Sequence, residues 1–201
     1  MVLKIVLCLI FGYLFGSLNF AIIYSKLKGD DIRNHGSGNA GTTNVLRTYG
    51  KAAAAFVLLL DISKGVVAVL ITRIFVNEPL YDCCAALGAI IGHNFPVYYG
   101  FKGGKGVATS LAALLLLHYP TALIALGTFI IVAIITRYVS LSSIIAAVAA
   151  MVSGFVFFSI NEIIPFFFLI IGTLCIYRHR SNIKRLINGT ESKLGQKKKG
   201  Q

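Results

Sequence analysis

Nine consecutive residues, Gly36-Ser37-Gly38-Asn39-Ala40-Gly41-Thr42-Thr43-Asn44, gather hydroxyls, amides and unobstructed backbone N–H groups in the way a phosphate cradle requires. Arg47 follows Asn44 at helical spacing. A helix starting near Thr42 or Thr43 would turn its free N–H groups and the positive end of its dipole toward a bound anion. Gly36, Gly38 and Gly41 formally match G-x-G-x-x-G, and Asp61 falls twenty residues after Gly41. A dinucleotide site, however, needs a preceding strand in a βαβ unit, and the sequence offers none.

A second segment runs Gly92-His93-Asn94-Phe95-Pro96 and then Phe101-Lys102-Gly103-Gly104-Lys105-Gly106. It misses the P-loop pattern, because glycine follows Lys105 and Tyr99 stands where the first glycine belongs. ATP hydrolysis is therefore not supported. Two lysines among glycines at the start of a helix still suit a phosphate. The third segment is Arg178-His179-Arg180-Ser181-Asn182-Ile183-Lys184-Arg185, with Gly189 as a helix stop. His179 and Asn182, three apart, share a helix face. Ser140 and Ser143 add hydroxyls that could reach the same place.

These segments have to be positioned by apolar elements. Of 201 residues, 57% are hydrophobic and 13% charged, and the apolar residues come in long runs. Such runs predict an all-α membrane protein; the two-residue alternation of a membrane barrel is absent. Seven spans are expected, at about 2–24, 52–74, 83–99, 106–118, 120–137, 141–159 and 163–177, in one polytopic domain covering 1–201 with a basic tail at 178–201. The fourth is too short for a full bilayer and reads as a short or re-entrant helix. One early lysine, Lys4, and no small-residue cleavage site argue against a signal peptide.

Charge sets the orientation. With the amino terminus outside, sixteen of the nineteen lysines and arginines fall on the cytoplasmic side; Lys4 and Arg73 lie outside, and Lys64 lies within a span. All three polar segments and the carboxyl terminus then face the cytoplasm. The net charge of +12 is a topology signal and an attraction for anionic lipid or substrate, not a nucleic-acid footprint. Lys197-Lys198-Lys199 is expected to be a disordered, lipid-facing tail. Asp61 and Lys64, three apart inside a span, should pair or face the bundle interior, whether for structure or for function. The four cysteines show no metal-ligand spacing and read as small buried hydrophobes.

At the three polar segments the chain resembles the bacterial acyl-phosphate:glycerol-3-phosphate acyltransferases, small integral membrane enzymes of phospholipid synthesis. The likeness lies in Gly36-Ser37-Gly38-Asn39 to Arg47, in Gly92-His93 through Phe101 to Gly106, and in His179-Arg180-Ser181-Asn182-Ile183 through Gly189 and Glu191. It implies transfer of a fatty acyl group from acyl phosphate to the 1-hydroxyl of sn-glycerol 3-phosphate, giving lysophosphatidic acid and inorganic phosphate. It also implies a multi-pass protein of the cell inner membrane, with no cofactor, no metal and no obligate protein partner. The catalytic residues expected are Ser37, His179 and Asn182. Substrate phosphates are expected at Gly36, Gly38, Asn39, Asn44, Arg47, His93, Lys102, Gly103, Gly104 and Lys105, with glycerol phosphate near Arg47 and Lys105. Either His179 or a substrate phosphate takes the proton from the attacking hydroxyl. The His-x4-Asp signature of acyl-CoA-dependent enzymes is missing after every histidine. A membrane transporter for an organic phosphate is the rival reading, supported by the glycine-rich breaks and the intramembrane charges.

Overall fold

The computed structural model describes residues 1–196, so the lysine run 197–199 lies outside the described residues. Nine α-helices account for the described chain, with no strand among the described residues: α1 (Val2–Gly16), α2 (Phe20–Leu27), α3 (Thr42–Phe75), α4 (Pro79–Asn94), α5 (Val107–Leu117), α6 (Tyr119–Thr136), α7 (Val139–Phe157), α8 (Ile163–Arg178) and α9 (Arg180–Ile187). Each of the seven expected apolar runs is helical, but two differ from the expectation.

The run 2–24 is broken. Asn19 adopts an extended conformation, its Oδ1 accepts from the Ile22 N–H at 3.1 Å to cap α2, and its Nδ2 donates to the Ala40 carbonyl at 3.2 Å. A polar residue inside the apolar run thus ends one helix, starts the next and ties both to the first polar segment. The run 83–99 is displaced: its helix starts at Pro79, which suits a first helical position, and stops at Asn94. Pro96 forbids helical backbone at Phe95 (φ −133°, ψ 64°), freeing residues 95–106 as a loop. A third break lies at Gly50, whose φ of 87° divides α3 into a short amino-terminal helix and a long apolar one.

By length and composition four segments can each cross a membrane: Val2–Leu27, α3, α6 and α7. The pair α8 and α9, bent by 55°, would make a fifth. With 11 residues at 1.5 Å each, α5 spans only about 16 Å. Close helix contact compensates for length. A Cβ on Gly12 or Gly16 of α1 would strike the backbone of Ala85 or Ala89 on α4, and one on Gly88 or Gly92 would strike α1. Small residues on both helices therefore bring the backbones together, the packing that substitutes for hydrophobic burial in lipid. The core joins Val69, Cys83, Ile90, Leu114, Ala122, Phe167, Phe168 and Ile171 across α3 to α8. Outward-facing Leu3, Leu7, Leu59, Ile74, Ile131, Ile134, Ile135 and Val156 form the apolar exterior that a bilayer would cover.

Candidate active site

All three polar segments meet at one end of the bundle, around a cavity of about 920 Å³. The first is shaped from within. Asn44, in the first turn of α3, is fully buried; its Oδ1 accepts from the Ser37 N–H at 3.0 Å, and its Nδ2 donates to the carbonyls of Ile32 (3.0 Å) and His35 (2.9 Å). Gly36 has a φ of 57°, and a Cβ there would overlap Asn44 Oδ1, so two independent constraints demand glycine. Ser37, Gly38 and Asn39 are thereby presented to the cavity.

The loop of the second segment is clamped by three elements from outside and by its own α4 end from below. The Tyr13 hydroxyl donates to the Phe95 carbonyl at 2.9 Å, and Arg33 Nη1 donates to the Tyr99 carbonyl at 2.8 Å. Arg178, at the end of α8, stacks over Phe95 with 4.6 Å to the ring centre and donates to the carbonyls of Gly103 (3.3 Å) and Gly104 (2.8 Å). From below, the Gly104 N–H donates to the His93 carbonyl at 3.0 Å. Lys102, Gly103 and Lys105 line the cavity as a result.

In the third segment α8 ends at His179, where the axis turns into α9. His179 Nδ1 lies 2.8 Å from the Cys175 carbonyl, which makes Nδ1 the protonated nitrogen and leaves Nε2 as acceptor. Asn182 joins the segments: its Oδ1 accepts from Lys105 Nζ, and its Nδ2 donates to Glu191 Oε1 at 2.7 Å. Glu191 also accepts from Ser140 (2.7 Å) and Arg185 (2.6 Å).

The electrostatics follow from this burial. Loss of hydration lowers Lys105 to about 8, with Glu191 opposing and Arg185 adding to the effect. Burial and then the Lys105 charge lower His179 to about 4, so the imidazole is neutral near pH 7. Burial pushes the Glu191 carboxyl up, but hydrogen bonds from Ser140, Asn182 and Arg185 outweigh it and hold the group below its ordinary value. Arginines and lysines dominate the cavity wall: Arg33, Lys102, Lys105, Arg178, Arg180 and Arg185 stand there with a single carboxylate, Asp31, which is paired to Arg33 at 2.7 Å. Arg33 holds Asp31 at about 2, which keeps it ionised. The chamber has the charge and the donors that an anion receptor needs.

Of the residues expected at the site, Ser37, Gly38, Asn39, Lys102, Gly103, Lys105 and Asn182 line the cavity. Asn44, His93, Gly104 and His179 are buried behind its wall, and Gly36 is exposed beside it. Arg47 is turned toward the tail, donating to the Ser192 carbonyl at 3.3 Å, and burial lowers its pKa. Ser140 reaches the network only through Glu191, and Ser143 bonds the Val139 carbonyl of its own helix at 2.9 Å. Sequence reasoning assigned Arg33 only to topology and did not foresee the clasp made by Arg178. Arg178 opens the third segment, but local spacing marks the partner of neither arginine, because each acts on a loop about seventy residues away.

The glycerol-3-phosphate acyltransferase family model matches residues 6–189. A glycerol-3-phosphate acyltransferase of Thermoanaerobacter sp. (strain X514) is 47% identical over 193 residues, covering 96% of each chain. One from Francisella tularensis subsp. novicida is 47% identical over 192 residues, covering 95% of this chain and 93% of its own. Among solved structures, PlsY (YgiH), an integral membrane glycerol 3-phosphate acyltransferase, in its glycerol 3-phosphate form superposes with a TM-score of 0.88 at 40% identity over 95% of this chain and 96% of that one. Its lysophosphatidic acid form gives 0.85 at 39% identity, over 95% of each. A multi-pass membrane chain with a cation-walled chamber at one end, matched along nearly all its length, belongs to the glycerol-3-phosphate acyltransferase family.

Proposed function

We propose that this protein transfers a fatty acyl group from acyl phosphate to the 1-hydroxyl of glycerol 3-phosphate, releasing lysophosphatidic acid and inorganic phosphate. The observation that carries the reading is the cation-walled chamber built by all three polar segments, roomy enough for two phosphate groups. Support for the acceptor comes from PlsY, whose solved forms contain glycerol 3-phosphate and lysophosphatidic acid. Support for the donor is chemical. An acyl phosphate carries its own leaving group, so positioning and charge stabilisation suffice and no enzyme nucleophile is needed. All four cysteines lie outside the three segments.

In this mechanism the glycerol hydroxyl attacks the acyl carbonyl, the bond from carbonyl carbon to phosphate oxygen breaks, and phosphate leaves with the bonding electrons. Lys105, fixed by Asn182, and Arg185 hold the glycerol phosphate, with Arg47 adding charge behind them. Ser37 and Lys102 face the acyl phosphate. The hydroxyl proton goes to a substrate phosphate, since an imidazole near 4 is the weaker acceptor beside a phosphate whose second pKa is near about 6. His179 stays neutral behind the wall, near enough to feel the Lys105 charge.

The chamber opens to the cytoplasm and the amino terminus lies outside, the orientation favoured by sixteen inner lysines and arginines. Seven crossings follow if α4 and α5, short of a bilayer by themselves, cross inside the bundle. In a bacterium with two membranes this is the inner one. A transporter is disfavoured because Asp61 and Lys64 are paired with each other and do not line the chamber.

Purified protein in detergent, given acyl phosphate and glycerol 3-phosphate, should release inorganic phosphate in step with lysophosphatidic acid. A variant with all four cysteines replaced should keep most of this turnover. Efficient transfer from acyl-CoA without acyl phosphate would overturn the donor, and vesicle uptake of glycerol 3-phosphate without acylation would overturn the enzyme.

A further inference from the structure

The deepest polar cluster in the molecule lies beneath the chamber, outside it. Asp61 and Lys64, one turn apart on α3, are 1% and 2% exposed. Lys64 Nζ sits 3.0 Å from Asp61 Oδ1, 2.9 Å from the Leu18 carbonyl and 2.8 Å from His93 Nδ1. Nζ hydrogen-bonds the Leu18 carbonyl and His93 Nδ1, while Asp61 Oδ1, which accepts no well-aligned hydrogen bond, holds it as an ion-pair partner and lies 3.5 Å from His93 Nδ1. With Lys64 charged against Asp61, Nδ1 accepts from the ammonium, which places the ring's own proton on Nε2.

That edge of the ring faces Gly104. A Cβ on Gly104 would run into His93 Nε2 and the Ala40 carbonyl, and the Gly104 N–H is already bound to the His93 carbonyl. Ring and backbone of one residue therefore set the height of Gly104, and Lys105 is next in the chain. Thr109, in α5 just beyond the loop, donates to the Asp61 carbonyl at 3.2 Å and fixes the other end.

Stability alone does not account for two charges here. Desolvation of a buried ion pair commonly cancels its attraction, and apolar residues of similar volume often serve as well. What an apolar pair cannot do is fix the tautomer and tilt of His93. We propose that Asp61 and Lys64 are positioning residues for the glycine loop, acting through His93 to hold Lys105 at the correct depth for the glycerol phosphate. The inference rests on the reaction proposed above.

The test separates position from stability. In Asp61→Leu/Lys64→Met both charges are removed together, so no unpaired charge is left buried. In His93→Asn an acceptor for Lys64 is kept, while the ring under Gly104 is lost. Both are purified in detergent beside the wild type and assayed for acyl phosphate-dependent acylation of glycerol 3-phosphate, with thermal unfolding measured on the same samples. The expected result is unfolding close to wild type with KM for glycerol 3-phosphate raised about tenfold and a smaller change in kcat, the size of effect a sub-ångström displacement produces. Wild-type KM in either folded variant overturns the positioning role. Failure of both variants to fold overturns it as well, assigning the cluster to stability. A wild type that acylates no glycerol 3-phosphate defeats the reaction itself, a result distinct from these.

Discussion

The two glycine-rich loops of the chamber do similar work and are built on opposite plans. The loop at 36–41 is shaped mainly by one residue: Asn44, seven, nine and twelve positions from the groups it binds, makes three bonds there, and Asn19 adds one to the Ala40 carbonyl. The loop at 95–106 is held by α1, the 32–34 turn, α4 and α8, through Tyr13, Arg33, His93 and Arg178. The first is a local solution and should fail locally. The second transmits the packing of the whole bundle to Lys105, so the site cannot be correct unless the helices are.

The largest effect is expected from Asn44→Ala. Three bonds vanish at once, each worth about 1 kcal/mol net, so catalytic efficiency should fall roughly hundredfold while the melting temperature drops by several degrees without collapse of the fold. Arg178→Met removes one of four anchors and should cost only about tenfold, by the same measure. Steady-state kinetics with thermal unfolding on both variants decides the comparison. Equal losses, or a collapse of stability in Asn44→Ala, would mean that the first loop is not a local structure.

The next effect separates two cations. Lys105 lines the chamber and Arg47 does not, although each was expected to meet the glycerol phosphate. Lys105→Ala removes a charge-assisted contact worth about 1.5–3 kcal/mol, a ten- to hundredfold rise in KM for glycerol 3-phosphate. Arg47→Ala should cost less. If Arg47→Ala is the more damaging, the side chain must leave Ser192 and turn inward when substrate binds.

Much of this was legible in the sequence, and unevenly so. Helices could be read because most apolar runs are long with few polar residues inside them, and α3 begins at Thr42, just after Gly41. The breaks at Ser17–Asn19 and Phe95 were not read, although Asn19 and Pro96 mark them; an apolar window averages one polar residue away. Phosphate-compatible residue types were visible at all three segments. Their division into chamber lining and scaffold was not, because Ser37 and Asn44 are alike in polarity and differ only in burial. Long-range clasps such as Arg178 on Gly104 leave no mark in local spacing.

A smaller effect tests how the third segment relates to the loops. His179 is neutral, buried, and bonded to the Cys175 carbonyl, and in the proposed mechanism a substrate phosphate, not His179, takes the proton. His179→Gln should reduce kcat by about tenfold or less. A loss in the range of roughly 10² to 10⁴, typical of general acid–base catalysis, would instead make His179 the proton acceptor.

The smallest effect, and the one requiring no substitution, is the pH dependence. Lys105 is held down at about 8, so in the free enzyme it loses its proton, and with it the charge that binds phosphate, as pH rises through that value. A logarithmic plot of kcat/KM for glycerol 3-phosphate should bend downward above pH 8, falling about tenfold per unit beyond it. Lys105→Arg, whose guanidinium stays charged, should abolish that bend whatever it does to the absolute rate. On the acid side His179, at about 4, already lacks its proton at pH 5, so any limb near about 6 reports the substrate phosphate. An alkaline limb that survives in Lys105→Arg would place the titrating group elsewhere in the chamber. The second loop would then serve to shape the anion site and not to charge it.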